Sequence, residues 1–188
     1  MNLPNKLTLL RLVMIPVFTA VYFIWQIPFN FLIAAVIFVL AAATDFLDGY
    51  IARKYNLVTN LGKFLDPIAD KVLVSTALII MLVPVGGVLI IPAYGAIAVA
   101  IILARELVVS GFRMVAASKG AVIAADKSGK IKTFVQDVSI AVLLVGAQFT
   151  TCSIINLVGL ILLAIATLLT IVSGVECIVK NRAVLKDN

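Results

Sequence analysis

Four aspartates in one short stretch of the chain have the spacing expected of a carboxylate site. Asp45 and Asp48 are three residues apart. Asp66 and Asp70 are four residues apart. Either spacing places two side chains on one face of a helix. Hard cations prefer oxygen ligands, and four carboxylates can hold two ions for a displacement at phosphorus. The residues therefore predict a site for two Mg²⁺ or Mn²⁺ ions.

Small and basic residues accompany the first acidic pair. Gly49 and Ala52 almost lack side chains and are three residues apart, which leaves a groove where a flat base or a phosphate could approach the backbone. Arg53 follows with a guanidinium that can donate two hydrogen bonds to one phosphate. A solvated loop, in which the aspartates only pair with nearby Lys and Arg, would not require this arrangement.

The composition is that of a membrane protein. The chain of 188 residues is 63% hydrophobic and 13% charged, whereas an average soluble domain is about 25% charged. It has no His, which excludes a Ser-His-Asp triad and a His-ligated zinc site, and its two Cys are too few for an all-cysteine zinc site. Three charge-free runs, at 12–44, 72–104 and 138–175, separate four charged segments.

Each charge-free run is long enough for two membrane-spanning helices. A straight helix over 12–44 would be about 50 Å long, against a hydrocarbon core of about 30 Å. Pro, Gly or polar residues lie near the middle of each run, at 26–30, 84–92 and 148–153, and predict turns. We therefore expect an all-α integral membrane protein with six transmembrane helices in three hairpins, and a single domain over residues 1–188.

The distribution of charge predicts the orientation in the membrane. If each run crosses twice, all four charged segments lie on one side, and that side carries every Lys and Arg. The positive-inside rule makes this side cytoplasmic and places both termini there. Half a run is slightly too short to span, so the helices must continue into the charged segments. The acidic pairs are then expected near the inner membrane surface, where charged groups indicate function.

The acidic segment resembles the signature of the CDP-alcohol phosphatidyltransferase family, D-x2-D-G-x2-A-R-x8-G-x3-D-x3-D. All eight fixed positions match: Asp45, Asp48, Gly49, Ala52, Arg53, Gly62, Asp66 and Asp70. The resemblance implies that the four aspartates bind two divalent cations and that Asp70 is also the general base. It implies that Gly49, Ala52 and Arg53 contact the nucleotide of CDP-diacylglycerol. It further implies a homodimer.

Two other segments resemble the bacterial phosphatidylglycerophosphate synthase branch of this family. The N-terminal P-N-x-L-T-x-x-R implies that Thr8 and Arg11 face the CDP-diacylglycerol site, on a short interfacial helix before the first span. Farther along, Arg113, Lys130 and Lys132 are expected to form a positive wall opposite the aspartates. Such a wall suits an acceptor that carries a phosphate. The resemblance implies that this acceptor is sn-glycerol 3-phosphate.

The expected activity follows from these resemblances. The phosphatidyl group of CDP-diacylglycerol passes to sn-glycerol 3-phosphate, giving phosphatidylglycerophosphate and CMP, at the cytoplasmic side of the cell membrane. Another acceptor, such as inositol phosphate, is an alternative. A divalent-cation transporter is a second alternative, although no charged residue would line the outer half of its ion path. A non-catalytic lipid-binding protein is a third alternative. Membrane lipid is an expected partner, and nucleic acid is not.

Overall fold

The computed structural model describes residues 3–54, 60–118, 127–149 and 153–182, and nearly all of them are helical. Side chains are described except at 3–4, 45–54, 60–64, 127 and 153. The helices, in chain order, are α1 (Leu3–Phe23), α2 (Asn30–Lys54), α3 (Asn60–Ile80), α4 (Gly95–Ser118), α5 (Lys127–Gln148) and α6 (Ser153–Lys180). The predicted all-α architecture is confirmed over these residues.

The helices continue into the charged segments, as the length of the apolar runs requires. The backbone of α2 stays helical past Asp45 and Asp48, and α3 includes Asp66 and Asp70. Within the described parts of the chain, four helices are long and apolar enough to cross a membrane, at Asn5–Phe23, Gly95–Ser118, Ser128–Gln148 and Ile154–Lys180. The apolar part of α2, Asn30–Thr44, is shorter.

The first helix begins earlier than the sequence suggested. Residues 3–11 are the first turns of α1 and do not form a separate interfacial helix. The physical reason is that Pro4 stands in the first turn, where proline is tolerated, and no Gly or Pro interrupts 5–15. The side chains of Asn5, Thr8 and Arg11 all point into the bundle, because each is buried.

The turn between α1 and α2 is tied to the turn that follows α3. Asn30 is buried, and its Nδ2 donates a hydrogen bond to the backbone oxygen of Tyr22 at 3.1 Å. The Tyr22 hydroxyl donates to the backbone oxygen of Val83 at 3.3 Å. The two predicted turns therefore lie together at one end of the bundle.

Two glycines form the tip of the second turn. Val85 and Val88 exchange two backbone hydrogen bonds of 3.0 and 2.9 Å. Gly86 and Gly87 between them have φ of 57° and 80°, the left-handed conformation that a two-residue hairpin requires. A Cβ at Gly86 would lie 3.4 Å from the Cβ of Trp25, so this tip packs against the first turn.

Small residues allow α5 and α6 to approach each other closely. A Cβ at Gly159 would lie 2.7 Å from Leu143 Cδ2 and 3.3 Å from the Leu143 backbone nitrogen. The hydroxyl of Ser139 donates to the Gly159 backbone oxygen at 3.0 Å. Glycine and serine at such contacts are typical of helices that pack in a membrane, where apolar burial does not drive association.

The interior of the bundle is apolar, and so is much of its outer surface. Phe18, Phe38, Leu78, Ile102 and Leu144 belong to one buried cluster that joins α1 to α5. Large apolar side chains are also exposed along the outside of every helix. A bundle that is apolar both inside and outside suits a hydrocarbon environment.

Candidate active site

A hydrogen bond joins the N-terminal element to the second acidic pair. The hydroxyl of Thr8 donates to Oδ1 of Asp66 at 2.6 Å, although the two residues are 58 positions apart. Thr8 is fully buried. The contact holds α3 against the first turns of α1 and fixes one oxygen of the Asp66 carboxylate. We call this end of the bundle, which carries Asp66 and Asp70, the charged end.

Arg11 ties α1 to α2 one helical turn farther along. Its side chain is fully buried, and its Nε donates to the backbone oxygen of Ala41 at 3.1 Å and to the hydroxyl of Thr44 at 3.4 Å. Thr44 directly precedes the first aspartate of the motif. The N-terminal element is therefore in contact with both helices that carry the signature.

A cleft between α3, α4 and α5 contains further charged side chains of this end. We call it the α3–α5 cleft. Its polar lining is Asp70, Lys71, Ser75, Glu106, Lys132, Thr133 and Gln136. Its apolar lining is Val74, Ile102 and Leu103. Acidic and basic groups thus share one cleft with an apolar wall, an arrangement typical of a ligand site.

The carboxylate of Glu106 joins the basic groups of this cleft. Its Oε1 accepts hydrogen bonds from Lys132 Nζ at 2.5 Å and from Arg105 Nη1 at 3.0 Å. The side chains of Lys132 and Glu106 are only 3% and 18% exposed. Because a buried ammonium is costly without a countercharge, Glu106 determines where the charge of Lys132 can lie.

Lys71 occupies the opposite wall of the cleft. Its ammonium donates to the hydroxyl of Ser110, which in turn donates to the backbone oxygen of Glu106. The side chain following Asp70 is therefore anchored on α4. Asp70 itself lines the same cleft, so two acids and two lysines share it.

Arg105 connects this network to α6. Its Nη2 donates to the hydroxyl of Ser173 at 2.8 Å. Gly174 provides the space, because a Cβ there would lie 3.0 Å from Arg105 Cγ. Arg105 therefore bonds both to Glu106 and to α6, so the last helix helps to hold Glu106 in place. No described side chain of α6 lines the cleft itself.

The structure brings some of the predicted site residues together and leaves others apart. Asp70 and Lys132 line the same cleft, and Thr8 contacts Asp66. Lys130 is exposed and is not part of the cleft lining. Arg113 is partly buried outside that lining, and its buried Nε has no hydrogen-bond partner among the described residues.

The first acidic pair lies on a helix whose side chains there fall outside the described residues. This applies to Asp45, Asp48, Gly49, Ala52 and Arg53. Among the described side chains, no group of three His, Cys, Asp or Glu could hold a metal ion. Because two of the four aspartates are not among them, the predicted metal site stays a prediction.

Sequence reasoning assigned no role to several residues of the cleft. Glu106 had a signal, since an acid within an apolar helix usually has a specific partner. Lys71 directly follows Asp70, where the sequence alone does not distinguish it from a surface countercharge. Gln136 lies near the basic residues of α5, and nothing in the sequence gives it a role. The burial that separates these residues from an ordinary polar face is not visible in the sequence.

Comparison with known proteins identifies the family of this chain. The family model of the CDP-alcohol phosphatidyltransferases matches residues 1–172. The match covers all six helices except the end of α6. The chain therefore belongs to the CDP-alcohol phosphatidyltransferase family.

Relatives within the family carry one more specific name. A protein of Bacillus subtilis (strain 168) is 43% identical, over 100% of this chain and 98% of its own length. One of Rickettsia bellii (strain RML369-C) is 45% identical, over 92% and 91%. One of Shigella flexneri serotype 5b (strain 8401) is 36% identical, over 99% and 98%. All three are named CDP-diacylglycerol–glycerol-3-phosphate 3-phosphatidyltransferase.

The buried ion pair of the cleft yields a stability prediction. Glu106→Gln leaves the ammonium of Lys132 without its countercharge and should lower the free energy of unfolding in detergent. Lys132→Met should lower it as well. The double variant should be less destabilised than the sum of the two, by about 1–3 kcal/mol, because the two side chains interact directly.

The matched control is the ion pair between Lys180 and Glu176, in which the lysine side chain is 57% exposed. Lys180→Met should leave the unfolding free energy nearly unchanged, as is usual for exposed pairs. Strict additivity of the Glu106 and Lys132 changes would contradict the pairing.

Proposed function

We propose that this protein transfers the phosphatidyl group of CDP-diacylglycerol to sn-glycerol 3-phosphate, producing phosphatidylglycerophosphate and CMP. The observation that carries the proposal is the similarity, over nearly the whole chain, to relatives named for this reaction. The α3–α5 cleft supports it, because its lining combines the acids Asp70 and Glu106 with the lysines Lys71 and Lys132, groups suited to a phosphorylated alcohol.

The proposed reaction is a displacement at the β-phosphorus of CDP-diacylglycerol. A hydroxyl of the acceptor forms the new O–P bond, the bond between that phosphorus and CMP breaks, and the hydroxyl proton passes to Asp70. The position of Asp70 in the cleft supports this role, since a general base must lie within hydrogen-bond reach of the proton that it removes.

The four aspartates Asp45, Asp48, Asp66 and Asp70 would hold two Mg²⁺ or Mn²⁺ ions. Such ions neutralise a diphosphate and stabilise the leaving CMP. The Asp66 carboxylate fits this role, because the hydroxyl of Thr8 donates to its Oδ1 and holds the group in place. A contact of this kind orients a ligand carboxylate from the side away from the metal. The chain has no His, so the metal ligands would be carboxylate oxygens.

The two substrates would bind to different walls of the site. Gly49, Ala52 and Arg53 of α2 would contact the nucleotide of CDP-diacylglycerol, with Thr8 and Arg11 supporting them. Lys132 would bind the acceptor phosphate, because an ammonium has three N–H donors and the Glu106 contact uses one. Arg113 and Lys130, proposed for the same phosphate, would have to turn toward the cleft.

The proposed setting is the cytoplasmic membrane. We propose that all six helices span it and that both termini and the charged end face the cytoplasm. The one-sided distribution of Lys and Arg supports this orientation. A homodimer is proposed from the family resemblance alone.

The direct test is CMP release by the purified protein from CDP-diacylglycerol, with Mg²⁺ or Mn²⁺ and a panel of acceptors. We expect release with sn-glycerol 3-phosphate and none with inositol phosphate. Asp70→Asn should lower kcat by about 10²–10⁴, the usual contribution of a general base, while binding of CDP-diacylglycerol largely survives.

The matched control for Asp70→Asn is Glu176→Gln, because Glu176 is an acid that does not line the cleft. Its activity should equal that of the unchanged protein. Release with inositol phosphate and not with sn-glycerol 3-phosphate would overturn the proposed acceptor, and divalent-cation flux into liposomes without CMP release would overturn the proposed reaction.

The contact between Thr8 and Asp66 yields a second activity prediction. Thr8→Val keeps the shape of the side chain and removes the hydroxyl, so kcat/KM for CMP release should fall by about 10- to 100-fold. This range corresponds to about 1.5–3 kcal/mol for a hydrogen bond to a charged group. Thr8→Ser keeps the donor and should retain most of the activity. Equal losses in the two variants would contradict a role for the hydrogen bond.

A further inference from the structure

Gln136 is a buried polar residue of the cleft to which the mechanism above gives no role. Its side chain is only 2% exposed, and it lines the α3–α5 cleft. Its Oε1 has no hydrogen-bond partner among the described residues. A buried carbonyl oxygen without a donor is unfavourable and is rare in native proteins. A bound molecule that carries a hydrogen-bond donor would satisfy this oxygen.

The register of α5 gives this amide a specific neighbour. Gln136 follows Lys132 by four residues, so both side chains lie on one face of the helix, one turn apart. Both line the cleft, and so does Asp70 of α3. A molecule whose phosphate is bound by Lys132 would therefore present its next groups to Gln136 and Asp70.

Three other polar groups of the cleft donate to different atoms. The hydroxyl of Thr133 donates to the backbone oxygen of Gly129 at 3.2 Å. The ammonium groups of Lys71 and Lys132 donate to Ser110 and to Glu106. The missing donor must match a neutral acceptor, and an alcohol hydroxyl matches it.

We infer that Gln136 is a specificity-determining residue that accepts a hydrogen bond from the hydroxyl of the acceptor that does not react. This inference rests on the proposed function. In sn-glycerol 3-phosphate the primary hydroxyl attacks phosphorus and gives its proton to Asp70, and the secondary hydroxyl at C2 remains. Gln136 thus selects a phosphorylated polyol over a phosphorylated simple alcohol.

The test compares two acceptors that differ only in the C2 hydroxyl, sn-glycerol 3-phosphate and 3-hydroxypropyl phosphate. The unchanged protein should use the second with a kcat/KM lower by about tenfold or more, because its buried amide then stays unpaired. Gln136→Met removes the amide at similar volume. It should lower kcat/KM for glycerol 3-phosphate about tenfold and change that for 3-hydroxypropyl phosphate by less than about twofold.

Gln148→Met is the matched control. Gln148 ends α5 at the opposite end of the same helix, and its Oε1 is likewise buried without a partner among the described residues. Both acceptors should react with this variant as with the unchanged protein.

Three results would overturn the inference. They are equal use of the two acceptors by the unchanged protein, an equal loss with both acceptors in Gln136→Met, and no loss with either. The first needs no variant, so the test holds even if Gln136→Met fails to fold. A protein that releases no CMP with glycerol 3-phosphate would instead contradict the proposed function itself.

Discussion

A buried pair of opposite charges, Glu106 and Lys132, joins two apolar helices at the charged end of the bundle. The ammonium of Lys132 is nearly inaccessible, so its position is acceptable only because the carboxylate lies 2.5 Å away. The ion pair links α4 to α5. It thereby connects two walls of the cleft in which Asp70 and Gln136 also lie.

The outer helices stabilise this arrangement by the same physical means. Arg105 reaches from α4 to Ser173 of α6, and Arg11 reaches from α1 to the backbone of α2. In both cases a guanidinium crosses a helix interface and donates to neutral oxygens of the neighbouring helix. Side chains held in this way keep the geometry that a reaction at phosphorus requires, since the site is organised before substrate binds.

Helix positions could be predicted from the sequence because run lengths and turn residues determine them, whereas contacts between helices could not. The turn at Gly86 and Gly87 follows from local chemistry, whereas the inward side of Thr8 follows from the family resemblance. On α5 the sequence allows either of two polar faces to point inward, one that includes Lys130 and one that includes Lys132. Both lysines lie next to Ile131, and only the packing of α5 against its neighbours, chiefly α6 and α2, shows that Lys132 is buried while Lys130 is exposed. The pair formed with Glu106 depends on that rotation.

We propose that the acidic pairs of α2 and α3 hold divalent cations beside this cleft. Diffraction at the manganese absorption edge, from crystals grown with Mn²⁺ and CDP-diacylglycerol, would reveal these ions. We predict two anomalous peaks about 3.5–4 Å apart, coordinated by Asp45, Asp48, Asp66 and Asp70. No peak at these carboxylates, or manganese bound only elsewhere, would contradict the account.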